Sequence, residues 1–356
     1  MTTTDAAARY EAGALIDFAR KLFVAAGCDT DKSRTIAEVL VEGDLLGHTT
    51  HGLQLAAGYL EEIANGTMTA TGEPTTVSDR GAVVTWDGRK LPGVWLTVKA
   101  LDLAAERAKH LGIGAVALRN SHHIACLAAY LERVTAQGLM ALIASSDPSE
   151  ATVAPFGGRR AMFTPDPIAV GIPTEGAPIL IDISASITTN GLTNRLRRES
   201  KRYPGPWAQD ADGRATDDPN ALFTDPPGTL LPTGGQDHGH KGYALALTVE
   251  ALTQGLSGFG RVNPPTGWSA GVFVQVWDPQ AFAGLTHFRH EMEWIAEACR
   301  NTPPVPGVDA VRLPGERGLA KKREALAKGV PLYPGIMKAL TPWAEKFGVT
   351  LPPSRA

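Results

Sequence analysis

Among the nine histidines, three close pairs stand next to glycines or a strand end: His48 and His51, His122 and His123, His238 and His240. Histidine is the side chain best placed to exchange a proton near neutral pH. Gly47 and Gly52 bracket the first pair, so that stretch reads as a helix ending in a tight loop. His48 then reads as a cap facing the negative end of the helix dipole. His51, followed directly by Gly52, reads as a functional group. His122 and His123 follow the strand-like GAVALRN and a polar turn, Asn120-Ser121. A strand end opening into a helix is a frequent active-site position in α/β proteins. His123 reads as functional; for His122 a turn histidine bonded to backbone is an equal alternative. His238 and His240 occupy a Gly-rich loop before Lys241, where a solvated loop is the alternative.

Asp182 lies in the apolar run ILIDIS. A carboxylate there sits at a strand mouth, is buried with a partner, or caps a turn, because an unpaired buried charge is costly. One familiar partner is a catalytic histidine whose tautomer the carboxylate sets. Lys241 precedes a long apolar stretch, where a cation opposes the helix dipole and calls for a ligand phosphate or carboxylate. Arg195, Arg197, Arg198, Lys201 and Arg202 form a basic run suited either to a phosphate or to a solvated flap. Neither HExxH nor another tight metal-ligand pattern occurs, so no metal ligands are assigned.

The elements that position these groups follow from periodicity. Leu15, Phe18 and Leu22 predict a helix over 12–27, stopped by Gly27, and Thr30 reads as the N-cap of a second over 31–46. Further helices are predicted at 54–65, 94–110 and 124–137, and strands at 81–87, 114–118, 139–145, 167–173, 178–184 and 272–277. The β-α-β rhythm predicts an α/β architecture. Residues 190–228 read as a long polar excursion, 241–257 as a buried helix, and 303–356 as a proline-punctuated tail with one charged helix near 316–328. Gly112-Ile-Gly114-Ala-Val-Ala117 matches a dinucleotide fingerprint as a string, but it follows a helix and precedes a strand. That reverses the required order, so Gly112 is better read as a helix C-cap and a classical Rossmann domain is not expected. GGQDHGHKG fails as a phosphate loop, and no Gly-x-Ser-x-Gly elbow is present.

Composition bounds the partners. With 356 residues and a net charge of −3, the chain lacks the basic excess of a nucleic-acid or anionic-membrane binder. No run approaches a membrane span, and the N-terminus lacks a secretory pattern. Cys28, Cys126 and Cys299 are few and scattered, which points to a reducing cytoplasm. No linker stands out, so a single interwoven unit over 1–356 is expected.

Taken together, these landmarks resemble the malate/L-lactate dehydrogenase family, over about residues 12–340. They are GDLLGHTTHGL, GAVALRNSHHIA, SSDPSEATVAPFGG, PDPIAVGIP, ILIDIS, PWAQDADGRATDDP, GHKGYALAL and RLPGE. The resemblance implies an α/β fold of its own with N-terminal helices, and usually a homodimer with the site between subunits. It implies an NAD- or NADP-dependent enzyme moving a hydride between nicotinamide and a 2-oxo acid, 2-hydroxy acid or cyclic imino acid. It places the acid/base on His51, with His123 as second candidate, and substrate contacts on Thr50 and His122; Asp182 is expected, from its own position, to set the histidine tautomer. Cofactor contacts fall on Ser146, Asp182, Ile183, Ser184, His240, Lys241, Gly315 and Glu316. The chain departs from the family pattern at Leu55 and Gly58, where arginines are common, at Thr164-Pro165-Asp166-Pro167, and at Leu192 in place of a lysine. The chemistry looks preserved while the grip on the substrate is changed, which predicts an apolar or cyclic substrate body. A metal-dependent hydrolase built on the histidines, and a catalytically silent metabolite-binding homologue, are the alternatives.

Overall fold

The computed structural model describes residues 8–355. A short strand β1 (Arg9–Tyr10) leads into α1 (Ala12–Ala25), whose Leu15, Phe18 and Leu22 are buried as their spacing requires. α2 (Thr30–Leu45) follows. Its N-cap is Asp29 rather than Thr30: Thr30 is already helical, and the Asp29 carboxylate accepts from Lys32 Nζ at 2.8 Å. After the loop carrying His48 and His51 comes α3 (Ala56–Ala64).

A hairpin of β2 (Thr75–Asp79) and β3 (Val83–Asp87) is joined through α4 (Gly93–Leu111) to β4 (Ile113–Ser121). Gly112 ends α4 at φ 83°, with its amide on Ala108 O at 2.7 Å. A Cβ on Gly114 would fall 2.1 Å from Ala104 O. These glycines therefore serve a helix end and a close helix–strand contact, as expected of Gly112, and not a phosphate loop. Then come α5 (Leu131–Thr135), β5 (Met140–Ser146), β6 (Pro167–Ile172) and β7 (Ile179–Ser184). The excursion 190–228 contains α6 (Asn190–Arg198), β8 (Ala208–Gln209) and β9 (Ala215–Thr216), and β10 (Thr229–Leu230) closes it.

The remaining elements are α7 (Gly235–His238), α8 (His240–Glu250), β11 (Ala270–Trp277), α9 (Leu285–Arg300), α10 (Glu316–Lys328), β12 (Val330–Pro331), α11 (Ile336–Phe347) and β13 (Ser354–Arg355). The tail thus carries a second helix, α11, beside the expected charged one. Pro342 and the prolines around it hide its period in the sequence.

Seven strands form one sheet in the order β2-β3-β4-β11-β5-β6-β7. Only β3 and β4 are parallel, joined by the α4 crossover; every other pairing is antiparallel. The sheet is mixed because β11, arriving late in the chain, inserts between β4 and β5. Alternation along β4 serves two layers. Val116 and Leu118 face the large core under α1, α2 and α4, and Ala115 and Ala117 meet Val249 and Phe273 on the other side. A second core of Val153, Phe163, Ala185, Tyr203, Ala208 and Leu230 supports the excursion.

The segment 241–257 departs from expectation. α8 runs into a π-helical turn, Ala251–Gly255, and buries Gly242, Ala246, Val249, Thr253 and Gln254. Ala244, Leu247, Thr248, Ala251 and Leu256 are exposed. The all-round apolarity that read as complete burial serves one covered face and one bare face. No described helix is long and apolar enough to cross a membrane.

Candidate active site

A cleft of about 1640 Å³ runs between the His48–Leu55 loop, the ends of β4, β5 and β7, and α6. Local bonding explains why the loop holds its shape. Asp44, buried in the last turn of α2, accepts the Leu53 amide at 2.7 Å through Oδ2. A Cβ on Gly52 would fall 2.3 Å from that carboxyl group, so only glycine lets the chain turn there. Burial pushes the Asp44 carboxyl up to about 7. From the other side, Arg195 of α6 donates to Thr49 Oγ1 at 2.9 Å, to Thr49 O at 3.0 Å and to Gln54 Oε1 at 2.9 Å. Its guanidinium also stacks 3.8 Å over Tyr333.

Within this frame the Thr50 hydroxyl lies 2.8 Å from His51 Nδ1. His123 lies across the cleft, its ring stacked on His51 with centroids 6.0 Å apart. Its Nδ1 is met by the Tyr59 hydroxyl at 2.7 Å and accepts from the Ala125 amide at 3.3 Å. An amide N–H can only donate, so this Nδ1 is unprotonated and the neutral ring carries its proton on Nε2. Burial lowers His51 to about 4, helped by His48 and Arg195, and lowers His123 to about 3, helped by His51 and His122. Both rings are neutral at pH 7.

Thr50, His51, His123, Ser146, Asp182, Ile183 and Ser184 all line this cleft. The other expected site residues do not. His122 is fully buried behind it, edge-on to Tyr59 and Trp268, with Nε2 3.5 Å from Glu62 Oε2; a substrate contact is corrected to a packing role. His240 and Lys241 stand exposed in the first turn of α8, outside the cleft lining, as does His238 in α7. Gly315 borders a separate cavity of about 420 Å³ beyond His48 and Asp182. Glu316 is committed to Arg300 Nε at 2.7 Å and to the Leu313 amide at 2.9 Å. Asp182 also needs correction as the partner of the acid/base histidine. Its Oδ2 accepts from the Ala128 amide at 2.9 Å and the Cys126 thiol at 3.8 Å, and the histidine nearest it is His48. The donor atoms of His48, Cys126 and Asp182 lie within 4.8 Å of one another; burial pushes both the thiol and the carboxyl up.

Ser146 is tied into a polar network, donating to Glu250 Oε1 at 2.8 Å and accepting from Gln254 Nε2 at 3.1 Å. Glu250 is paired with Arg261 at 2.7 Å. Of the basic run, Arg195 is structural, Lys201 and Arg202 pair with Glu199 and Asp217, and Arg197 and Arg198 line the cleft. Arg159 and Arg160 join them, and among the described residues none of these four has a carboxylate within 4 Å.

Sequence reasoning missed Asp44, Gln54, Tyr59 and Trp268. Tyr59 follows His51 by two helical turns, a spacing that could have marked it. Trp268 sits in a Gly- and Pro-rich loop with no period to read.

The malate/L-lactate dehydrogenase family model matches residues 10–341. The chain belongs to that family. It is 32% identical over 341 residues to an L-lactate dehydrogenase of Cupriavidus necator, covering 94% of this chain and 96% of the relative. It is also 32% identical over 340 residues to a Δ1-pyrroline-2-carboxylate/Δ1-piperideine-2-carboxylate reductase of Pseudomonas syringae pv. tomato, covering 92% and 93%. The crystal structure of malate dehydrogenase from Entamoeba histolytica superposes with a TM-score of 0.92 at 25% identity, covering 97% of this chain and 99% of that one. The chain is thus an NAD(P)-dependent oxidoreductase of the hydroxy-acid dehydrogenase type, in a family that also holds a C=N reductase. Nothing among these relatives supports the hydrolase reading.

Proposed function

We propose that the chain interconverts a 2-oxo acid or cyclic imino acid and its reduced form, with His51 moving the proton and His123 acting as a fixed hydrogen-bond donor. The observation that carries this assignment is the unequal bonding of the two Nδ1 atoms. The partner of His51 is a hydroxyl, which donates or accepts, so His51 accommodates both protonation states. The Ala125 amide on His123 Nδ1 tolerates only the neutral ring, so His123 Nε2–H polarises the substrate heteroatom without shuttling protons. Thr50 positions His51.

The cleft fits a nicotinamide dinucleotide. Thr152, Ser269 and Asn190 line it, and among the described residues their Oγ1, Oγ and Oδ1 atoms have no hydrogen-bond partner, while the four arginines without a carboxylate partner suit phosphates. Bound NAD(P) supplies or takes up the hydride. Ser146, Asp182, Ile183 and Ser184 wall the cofactor's side, with Arg197 and Arg198 at the phosphate end. In reduction, His51 Nε2–H delivers its proton to the oxygen or nitrogen while His123 Nε2–H holds that atom; in oxidation, neutral His51 takes the proton back. Gln54 presents its amide N–H groups, because Arg195 holds its oxygen.

The chain works as one unit, as a homodimer in the cytoplasm. The bare face of α8, with Leu247 and Leu256 47% and 58% exposed, supports the dimer. The test is a cofactor screen. Quenching or enhancement of NADH or NADPH fluorescence on binding, followed by consumption with 2-oxo or imino acids, is expected. Binding without turnover across the panel favours the silent homologue, and no binding defeats the assignment.

A further inference from the structure

The cleft wall beside the two histidines is aromatic, and among the described residues no cationic side chain lines it there. Trp268 lines it at the end of the loop before β11, its ring 5.3 Å from that of His123 and tilted by 32°. The same indole is edge-on to Tyr59 at 6.0 Å. It lies over α3 at Gly58, where an added Cβ would be 3.7 Å from the indole edge. Leu55, one turn earlier, continues the wall. The cationic side chains that line the cleft, Arg159, Arg160, Arg197 and Arg198, belong to the β5–β6 connection and α6 instead.

The loop that presents Trp268 is fastened by its backbone. Lys90 Nζ donates to Trp268 O at 2.8 Å and Thr266 O at 3.3 Å. Ser149 Oγ donates to Gly267 O at 2.9 Å, and the Ser269 amide donates to Asp147 Oδ2 at 3.2 Å. Three successive residues are thus pinned from outside, while the ring is clamped by Tyr59, His122 and His123. A side chain held this way offers a flat surface with little ordering cost on binding.

We propose that Trp268 is a specificity-determining residue, a platform selecting 2-oxo acids whose side chain is a flat, unsaturated ring. The proposal rests on the redox reading above and names its substrate class. The rings of Trp268, His123 and His51 follow one another, so a substrate held by His123 at its reacting oxygen places its side chain beside the indole. A planar ring gains offset-stacked or edge-to-face contact there. A second carboxylate meets Leu55 and Trp268 with no charge to pair with, a burial that is strongly unfavourable.

The experiment compares kcat/KM for phenylpyruvate, pyruvate and oxaloacetate in the wild type, Trp268→Leu and Trp268→Phe. Cofactor fluorescence and circular dichroism report whether each variant is folded. Phenylpyruvate is expected to exceed both small acids by roughly tenfold or more, within the range that pocket contacts commonly discriminate. Trp268→Leu should cut the phenylpyruvate-to-pyruvate ratio by about tenfold, and Trp268→Phe should keep most of it. A wild type that prefers pyruvate or oxaloacetate overturns the platform whatever the variants do. So does a folded Trp268→Leu with an unchanged ratio; should that variant not fold, loss of the preference in Trp268→Phe has the same force. Absence of turnover with every oxo and imino acid overturns the reaction itself, and the platform with it; turnover without ring preference overturns the platform alone.

Discussion

The two ends of the cleft are built on opposite principles. At one end His51, Tyr59, His123 and Trp268 are buried or half-buried, and each polar atom that sets their orientation is bonded to protein. At the other, Arg159, Arg160, Arg197 and Arg198 are exposed and, among the described residues, free of carboxylate partners. The first end is organised before any ligand arrives, as proton transfer at a defined atom requires. The second keeps its charge available and adapts. The difference teaches that burial is invested where geometry decides the rate, and exposure where charge alone decides the binding.

The largest test of this contrast is at His51. His51→Ala is expected to lower kcat by about 10²–10⁴-fold, the size of a general acid/base contribution. Cofactor affinity, read by fluorescence titration, should stay within about twofold, since the arginine end is untouched. Equal loss of cofactor binding would mean that the ends are not separable. Next in size is the pH dependence. Burial holds His51 at about 4, so the neutral base is present throughout the neutral range. Oxidation of a 2-hydroxy acid needs that neutral form, so its kcat/KM should be flat above about pH 4 and fall below it. Reduction needs the protonated form, so its kcat/KM should rise about tenfold per unit as pH drops from 7 toward 4. Parallel profiles in the two directions would remove His51 from the proton path.

Much of this was legible before the structure. The strands at 139–145 and 178–184 and the helix at 94–110 carried their periods openly, and they became β5, β7 and α4 within a residue or two. His51 and His123 stood out because a histidine beside a glycine, or after a strand end, has few structural uses. The mixed sheet was not legible, because a strand's partner is a long-range choice; the β-α-β rhythm was read across 114–145, where β11 arrives late and separates β4 from β5, and the parallel pair β3 and β4 went unread. His122 misled because identical neighbours in a chain point opposite ways, one to the cleft and one into the core. Asp182 misled because its partners Cys126 and Ala128 lie 56 and 54 positions away.

A further test transplants a property of the charged end into the ordered one. Leu55 lines the cleft beside His51 and leaves that wall without a cation. Leu55→Arg should raise kcat/KM for oxaloacetate relative to pyruvate by roughly tenfold or more, since hydrogen bonds to a charged group contribute about 1.5–3 kcal/mol. Oxaloacetate already being the best substrate of the wild type would show that another group supplies the grip.

The smallest expected effect lies at the arginine end. Arg197 and Arg198 sit on α6, Arg197 stacked 3.9 Å over the Phe223 ring and both facing the cleft. If one of them meets a 2′-phosphate, Arg197→Ala or Arg198→Ala raises KM for NADPH and leaves KM for NADH nearly unchanged. Because both side chains are exposed, the pairing is screened and its contribution is about 1 kcal/mol or less, so the rise should be no more than about fivefold. It should shrink further as salt is raised from low to physiological ionic strength, where the screening length falls to about 8 Å. Arg195→Ala separates charge from architecture. That residue holds Thr49 and Gln54, so its loss should lower kcat with both cofactors alike and show little dependence on salt. Equal effects of Arg197→Ala on NADPH and NADH would place that side chain with Arg195 as a structural brace, and the division between a fixed end and an adaptable one would then fall further out along α6.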